Sequence, residues 1–299
     1  MKKNVMSLFD GMSCCQIALK ELGIKVDNYY ASEIDERAIQ VTQHNFPKTI
    51  QIGDVRFVNT RNFKDIYILA GGSPCTDLSL AGTRGGVLCK SSKEYEKLRK
   101  SGYDFGDNQS YLIWEYIRMV KKLKPKYFIL ENVILSGEFK YLEDIISKEL
   151  GVLPIRINSS KLSSQNRDRL YWTNIPGITQ PEDKGIKCTH VIRGGYGCGI
   201  RGRKEKGDKK YKMYLTVRTD LKFNCLVTSP YSTNRVFFKN GTHRKITVRE
   251  AELIQTIPPG YTNVKGISDT AKYHMIGNGW TIEVIKHLFK NLKKTKTKV

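Results

Sequence analysis

The sequence predicts an α/β protein whose larger domain is a doubly wound, mostly parallel sheet. Short apolar runs typical of buried strands recur in the first part of the chain, at residues 4–9, 29–34, 50–53, 66–70, 127–130 and 154–158. Helical patterns separate these runs, one ending near residue 22 and others covering 35–46, 110–123 and 141–150. Strands that alternate with helices indicate a parallel sheet covered on both faces.

A second, smaller domain is predicted from residue 174, where this alternation stops. Glycine clusters and a basic run, Arg201 to Lys212, replace it, and residues 174–243 hold 14 basic against 5 acidic residues. Helical patterns return at 248–256 and 281–292. We therefore assign residues 174–256 to the second domain, and 1–173 together with 257–299 to the first. Residues 76–109 are predicted to form a long functional loop, and the tail from residue 293 to be disordered.

The charge of the chain favours a nucleic-acid partner. In 299 residues, 51 Lys and Arg stand against 29 Asp and Glu, a formal net charge of +22. Such an excess suits a polyphosphate, although a Lys-rich protein without such a partner has the same composition. No apolar run is long enough to span a membrane, and the first residues lack the core of a signal peptide. The seven cysteines are odd in number and scattered, so we expect a reduced, cytoplasmic protein.

Two predicted strands end in residues that suit nucleophilic chemistry. The strand at 66–70 runs into Gly71-Gly72-Ser73-Pro74-Cys75, and the strand at 127–130 runs into Glu131-Asn132-Val133. Because ligands bind in the crevice outside the carboxyl ends of parallel strands, we expect the Cys75 thiol and the Glu131 carboxylate to face one pocket. The alternative for a cysteine taken alone is a small buried apolar residue.

A cofactor site is predicted at the ends of the first three strands. Gly11 lies in the first strand-to-helix turn, and Glu33 ends the second strand 22 residues later, the spacing at which an acid meets a ribose hydroxyl. The turn has one glycine and lacks the GxGxxG pattern, so a dinucleotide is disfavoured and S-adenosylmethionine fits better. Asp54, after the third strand, is a candidate for the adenine amino group. Each acid taken singly is also a candidate helix cap.

The order of short motifs along the chain resembles the cytosine-5 DNA methyltransferase family. The matching blocks are Phe9-Asp10-Gly11-Met12-Ser13, Glu33-Ile34-Asp35, Gly53-Asp54-Val55, Gly72-Ser73-Pro74-Cys75, Glu131-Asn132-Val133, Gln165-Asn166-Arg167-Asp168-Arg169, Arg249-Glu250-Ala251 with Gln255 and Pro258, and Gly277-Asn278-Gly279-Trp280-Thr281. The chain departs from the family at Ser13-Cys14, where many members have glycines, at Ser73 before the proline, and in a longer loop after the cysteine.

The resemblance implies a Rossmann-like methyltransferase that modifies carbon 5 of cytosine in double-stranded DNA. Cys75 would add to carbon 6 of a base flipped from the duplex, while Glu131 holds the ring near N3 and its amino group. Arg169 and Arg167 would contact the base carbonyl or a phosphate. The loop at 76–109 would close over the base, with Ser79 near the backbone of the flipped nucleotide.

The resemblance also implies which residues bind the cofactor and the DNA. Phe9, Gly11 and Met12 would line the methionine part of S-adenosylmethionine, Glu33 its ribose, and Ile34 and Asp54 its adenine. The cofactor set is completed by Asp10, Val55, Asn278 and Trp280. The expected DNA-binding residues are Gln165, Arg201, Arg203 and Lys204, in a bacterial or phage-encoded protein that acts as a monomer on DNA.

Three other functions compete with this interpretation. A tRNA cytosine-5 methyltransferase would share the fold, but the basic, glycine-rich second domain favours DNA. A noncatalytic DNA-binding regulator would be expected to lose Cys75 or Glu131 first, and both are present. A nicotinamide oxidoreductase lacks support because the glycine fingerprint is absent. Cys188, His190 and Cys198 match no usual zinc spacing, so no metal is expected.

Overall fold

The structure is a computed structural model that describes residues 3–74, 89, 91–106, 109–135, 137–203, 212–228 and 234–293. Its strands are β1 (Asn4–Leu8), β2 (Asn28–Ser32), β3 (Ile50–Gln51), β4 (Ile66–Gly72), β5 (Tyr127–Val133), β6 (Ile155–Asn158), β7 (Asp168–Thr173), β8 (Gly195–Arg203), β9 (Lys212–Val217), β10 (Arg235–Phe238) and β11 (His243–Lys245). Its α-helices are α1 (Cys14–Glu21), α2 (Glu36–Asn45), α3 (Ser92–Lys100), α4 (Leu112–Leu123), α5 (Tyr141–Leu150), α6 (Cys188–Val191), α7 (Val248–Ile254), α8 (Asp269–Asn278) and α9 (Ile282–Phe289).

The main sheet has seven strands in the order β3-β2-β1-β4-β5-β7-β6. Strands β1 to β5 pair in parallel, whereas β7 pairs antiparallel with both of its neighbours. Two clusters of buried apolar side chains cover its two faces. All residues of β1 are buried, as are the first six of β4 and of β5, because these strands are covered on both sides. The predicted α/β fold with a mostly parallel sheet is confirmed.

A second sheet has four strands in the order β11-β10-β8-β9, all paired antiparallel. These strands lie inside the range predicted for the second domain, although the division into domains itself stays a prediction. The sequence analysis predicted no strands here, because β8 is rich in glycine and β9 has no buried face to produce an alternating pattern. Glycine is required at Gly197, where a Cβ would lie 2.2 Å from the carbonyl oxygen of Lys222.

Three elements differ from the prediction. Strand β7 was missed, and it is the reversed strand of the sheet. Helix α8 lies between the helical patterns predicted at 248–256 and 281–292 and was missed. Helix α3 lies inside the predicted loop of residues 76–109, and Ser91 caps it by accepting a hydrogen bond from the Glu94 amide.

Helix α3 is fixed to α4 through a buried acid. The Glu115 carboxylate, which is fully buried, accepts a hydrogen bond from the Tyr95 hydroxyl at 2.5 Å and one from Arg118 Nε at 2.6 Å. Arg99 of α3 pairs with the same carboxylate at 2.9 Å and also donates to the Arg56 carbonyl at 2.7 Å. Helix α3 is therefore tied both to α4 and to the segment that follows β3.

Candidate active site

The turn after β1 is tight, and its backbone is accessible at Gly11. Phe9, Gly11 and Ser13 have φ values of 55°, 56° and 63°, in the left-handed region. A Cβ at Gly11 would meet nothing within 4 Å, so its backbone faces open space. Met12 is buried, and its carbonyl accepts a hydrogen bond from the Tyr261 hydroxyl at 2.7 Å.

Asp10 is directed into the protein beneath this turn. Its carboxylate accepts hydrogen bonds from the Tyr29 hydroxyl at 2.7 Å and from the Ser13 hydroxyl. Burial raises the pKa of Asp10 to about 6, although the hydrogen bonds from Ser13, Ser7 and Tyr29 lower it. Asp10 therefore holds the shape of the turn and is placed behind the surface that a cofactor would contact.

Glu33 and Ile34 lie beside the turn, at the end of β2. The Gly11 amide donates to Glu33 Oε2 at 2.7 Å, and the amides of Ile34 and Asp35 donate to Oε1 at 2.7 and 2.9 Å. These bonds fix the carboxylate next to the Gly11 backbone. The Ile34 side chain is 66% exposed, an apolar surface beside an anchored acid.

Asp54 follows β3 and is held by Arg56. Its Oδ1 accepts the Arg56 amide at 2.9 Å, and its Oδ2 accepts the guanidinium Nε at 2.8 Å. Partial burial raises the pKa of Asp54, but the hydrogen bonds and charge of Arg56 outweigh that effect, so its pKa lies below the ordinary value. The side chain of the next residue, Val55, is buried in the core.

The end of β4 passes very close to the end of β5. A Cβ at Gly72 would lie 2.9 Å from both Glu131 Oε2 and Trp280 Nε1, so only glycine fits there. Ser73 is buried and accepts a hydrogen bond from Asn132 Nδ2 at 3.0 Å. Cys75, two residues further on, lies outside the described residues, as does Ser79.

Glu131 is buried between an indole and a guanidinium. Trp280 Nε1 donates to its Oε2 at 3.2 Å, and Arg169 Nε lies 2.9 Å from its Oε1. The second contact is an ion pair by distance, yet within the described residues Oε1 has no hydrogen-bond partner, because the N–H does not point at it. One oxygen of this acid can therefore still accept a hydrogen bond.

Arg167 lies deeper than Arg169 and contacts carbonyl oxygens. It is 6% exposed, and its Nη1 donates to the carbonyls of Gly277 at 3.1 Å and Leu226 at 3.5 Å. Both arginines also reach the sulfur of Cys225, at 3.5 Å from Arg167 Nη1 and 3.8 Å from Arg169 Nη2. Together with Glu131, they place two cations, an acid and a thiol in one cluster.

Gln165 does not face DNA in this structure. Its side chain is fully buried, Oε1 accepts the Leu226 amide at 2.7 Å, and Nε2 donates to Gln255 Oε1 at 2.8 Å. Gln255 in turn donates to the carbonyls of Ile276 and Gly279 at 2.9 and 3.0 Å. The expected DNA contact is therefore corrected to a structural role, since every polar group of the Gln165 amide faces protein.

The segment after α8 contacts Glu131 through Trp280 and packs against the turn after β1 through Gly279. A Cβ at Gly279 would lie 3.1 Å from Met12 and 3.2 Å from Cys14. Asn278 is exposed at the end of α8. Of the residues expected to bind DNA, Arg201 and Arg203 belong to β8, and Lys204 lies outside the described residues.

Two features of the site were missed from the sequence. Cys225 lies in a stretch with no periodic pattern, and no local signal connects it to the arginines. The Trp280–Glu131 contact joins residues 149 positions apart, so only the fold reveals it. Within the described residues, no helix is long and apolar enough to cross a membrane.

The fold is shared with solved methyltransferase structures. The S. pombe Dnmt2 methyltransferase has the same fold, with a TM-score of 0.68 and 15% identity over 99% of this chain and 100% of that one. The Entamoeba histolytica methyltransferase EhMeth superposes with a TM-score of 0.67 and 14% identity over the whole of both chains.

The chain belongs to the C-5 cytosine-specific DNA methylase family, whose model matches residues 3–176 and 140–294. It is 30% identical over 180 residues to the orphan methyltransferase M.Rho11sI of Bacillus phage rho11s, covering 57% of this chain and 32% of that protein. It is 31% identical over 200 residues to M.SPBetaI of Bacillus phage SPbeta, covering 58% and 45%. These matches confirm the resemblance, and they span less than half of the length of either relative.

Proposed function

We propose that the protein transfers a methyl group from S-adenosylmethionine to carbon 5 of cytosine in double-stranded DNA, through a covalent adduct with Cys75 on a flipped base. The observation that carries this proposal is the buried Glu131 carboxylate, held by Trp280 and paired with Arg169, with one oxygen lacking a hydrogen-bond partner among the described residues. The charge of Glu131 is balanced by Arg169, and a donor on a bound ligand would complete its hydrogen bonding. The protonated N3 or the amino group of cytosine would do so.

The proposed chemistry needs a nucleophile and an anchored acid. A Cys75 thiolate would form a bond to carbon 6 as the carbon 5–carbon 6 double bond shifts its electrons toward carbon 5. Glu131 would hold the ring edge where charge develops, and Arg169 beside it would bind the base carbonyl. After methylation, loss of the carbon 5 proton to water or a base restores the double bond and expels the thiolate. When bound, S-adenosylmethionine would supply an electrophilic methyl group to carbon 5 and leave as S-adenosylhomocysteine, which keeps the electrons of the broken sulfur–methyl bond.

The residues at the ends of β1, β2 and β3 fit an adenosine-bearing methyl donor. The open space at Gly11 allows close approach to its backbone, the anchored Glu33 carboxylate suits ribose hydroxyls, and the exposed Ile34 offers an apolar face for adenine. Phe9, Met12, Asp54, Val55, Asn278 and Trp280 are assigned to the same site, and Asp10 to its support.

Charge favours a nucleic-acid substrate, and the DNA methylase family to which the chain belongs favours double-stranded DNA. The net charge of +22 and the 14 basic residues among positions 174–243 would neutralise phosphates on either side of the flipped base. Arg201, Arg203 and Lys204 are assigned to this contact, with the protein acting as a monomer. The alternative substrate, tRNA, carries the same phosphate charge and is therefore included in the test.

The test compares methyl transfer to a mixed-sequence duplex and to tRNA under identical conditions, with labelled S-adenosylmethionine. We expect base-stable label on the duplex, and a covalent complex with a duplex that carries 5-fluorocytosine. Cys75→Ala should abolish both, whereas Cys198→Ala, which removes a buried thiol of the second sheet, should keep both. Label on tRNA alone would show that tRNA, and not DNA, is the substrate. The absence of label on both, with the chain folded, would overturn the proposal.

A further inference from the structure

Cys225 is held in a fixed position beside the arginines. The segment that carries it runs along residues 164–166, where the Phe223 amide donates to the Ser164 carbonyl at 2.7 Å and the Asn166 amide donates to the Phe223 carbonyl at 3.0 Å. On the other side of Cys225, the Leu226 amide is bound by Gln165 at 2.7 Å. The backbone is therefore anchored before and after the thiol, so its place does not depend on a loose loop.

Arg167 brings a positive charge into the interior without an acid to balance it. Its residue surface is 6% exposed, and among the described residues no carboxylate forms an ion pair with it. Its described partners are the carbonyls of Gly277 and Leu226 and the sulfur of Cys225. An unbalanced buried charge is strongly unfavourable, so a counter-charge near this guanidinium would stabilise the fold.

The Cys225 sulfur is the group able to supply that counter-charge. Arg167 and Arg169 are the charged side chains that face it within the described residues, and both are cations. Burial raises the pKa of Cys225, but the two positive charges and their hydrogen bonds outweigh burial, so its pKa lies below the ordinary value. A thiolate next to cations is the usual form of a low-pKa cysteine.

We propose that Cys225 is a thiolate positioning residue, which balances Arg167 and holds Arg169 beside Glu131. As a thiolate it would accept from Arg167 Nη1 and Arg169 Nη2 and give up the thiol's own donation to the Leu226 carbonyl at 3.6 Å, and the two accepted bonds fix the guanidinium planes relative to the acid. Its effect on methyl transfer rests on the proposed function, because it acts through Arg169. The ionisation of Cys225 does not depend on methyl transfer, so a failure of the thiolate assignment can be told apart from a failure of the proposed function.

Ionisation is tested by alkylation in a Cys75→Ser background. Cys225 is the partly exposed cysteine among those described, and the others are buried, so iodoacetamide should label it first. The rate of labelling of the Cys225 peptide, followed by mass spectrometry from pH 5 to 10, reports the thiolate. We expect a midpoint below that of the same chain unfolded in urea, where a thiol titrates at about 8.5. Arg169→Met should move the folded midpoint upward.

A midpoint equal to or above that of the unfolded chain, or no labelling of the folded chain, would overturn the thiolate assignment. The positioning role is tested with Cys75 intact, in single-turnover methyl transfer to duplex DNA. Cys225→Ser should slow transfer by about tenfold, the worth of a charge-assisted hydrogen bond. Cys225→Asp, which restores the negative charge, should be faster than Cys225→Ser across neutral pH. A wild-type rate for the Ser variant, or an Asp variant no faster than it, would reject the role.

Discussion

The contact between Trp280 and Glu131 yields a sharp prediction for Trp280→Phe. The substitution keeps an aromatic ring but removes the indole N–H that donates to Glu131 Oε2 at 3.2 Å. The chain has three tryptophans, and the other two provide matched controls. Trp172 Nε1 donates to the neutral Ser147 hydroxyl at 2.9 Å, whereas Trp114 Nε1 is buried with no hydrogen-bond partner among the described residues.

The size of the effect follows from the length of the bond and the charge of its acceptor. A hydrogen bond to a charged group contributes about 1.5–3 kcal/mol. At 3.2 Å the bond is at the long end of the usual N–H···O range, so the lower value applies. A loss of about 1.5 kcal/mol corresponds to a rate about tenfold lower. Trp114→Phe and Trp172→Phe should lower stability and leave the rate nearly unchanged.

The assay is a single-turnover measurement of methyl transfer to duplex DNA at saturating S-adenosylmethionine. Saturation removes any part of the effect that comes from weaker cofactor binding, since Trp280 is also assigned to the cofactor site. A Trp280→Phe rate within twofold of Trp114→Phe would show that the indole does not act through Glu131, and the reasoning from this contact would be refuted.

Three further predictions concern buried polar groups. Glu131→Gln should abolish methyl transfer and lower the free energy of unfolding by about 3 kcal/mol, because Arg169 loses its buried charge partner; urea unfolding checks this. The pKa of Asp10 is about 6 in the folded chain, against an ordinary value of 3.8. Stability should therefore fall by roughly 3 kcal/mol as pH rises from about 4 to above 6, because the unfolded chain loses this proton first. Asp10→Asn should flatten the dependence of stability on pH, measured by urea unfolding. Gln165→Ala should cost roughly 2 kcal/mol by leaving the Leu226 amide unsatisfied, while an electrophoretic shift assay should show unchanged DNA affinity.

The main sheet could be predicted because its strands carry strong local signals. Strands β4 and β5 read as continuous apolar runs since both faces are buried, and Asp35, which accepts the Arg37 amide, caps α2. Strand β7 was missed because its sequence begins with two charged residues, which are only partly buried. Helix α8 was missed because its buried residues form no apolar stripe, and its packing depends on Gly277 fitting against Val227.

The candidate site could be predicted where a motif ends a strand, as for Gly11, Glu33 and Glu131. Gly11 and Glu33 follow neighbouring parallel strands, and the structure shows the hydrogen bond between them. The partners of Glu131 could not be predicted, because they come from an antiparallel strand and from the end of the chain. The role of Gln165 was mistaken for the same reason, since its partners at Leu226 and Gln255 are remote in sequence.

Gln255 links the segment that precedes the two arginines to the segment that carries Trp280. Its Oε1 accepts from Gln165 and from the Thr281 hydroxyl at 2.7 Å, and its Nε2 donates to two carbonyls just before Trp280. One amide thus sets the spacing between the strand that carries the arginines and the segment that carries the indole. The arginines and the indole that flank Glu131 are consequently aligned by a residue buried in the interior, so a change at this position would alter the geometry around the acid.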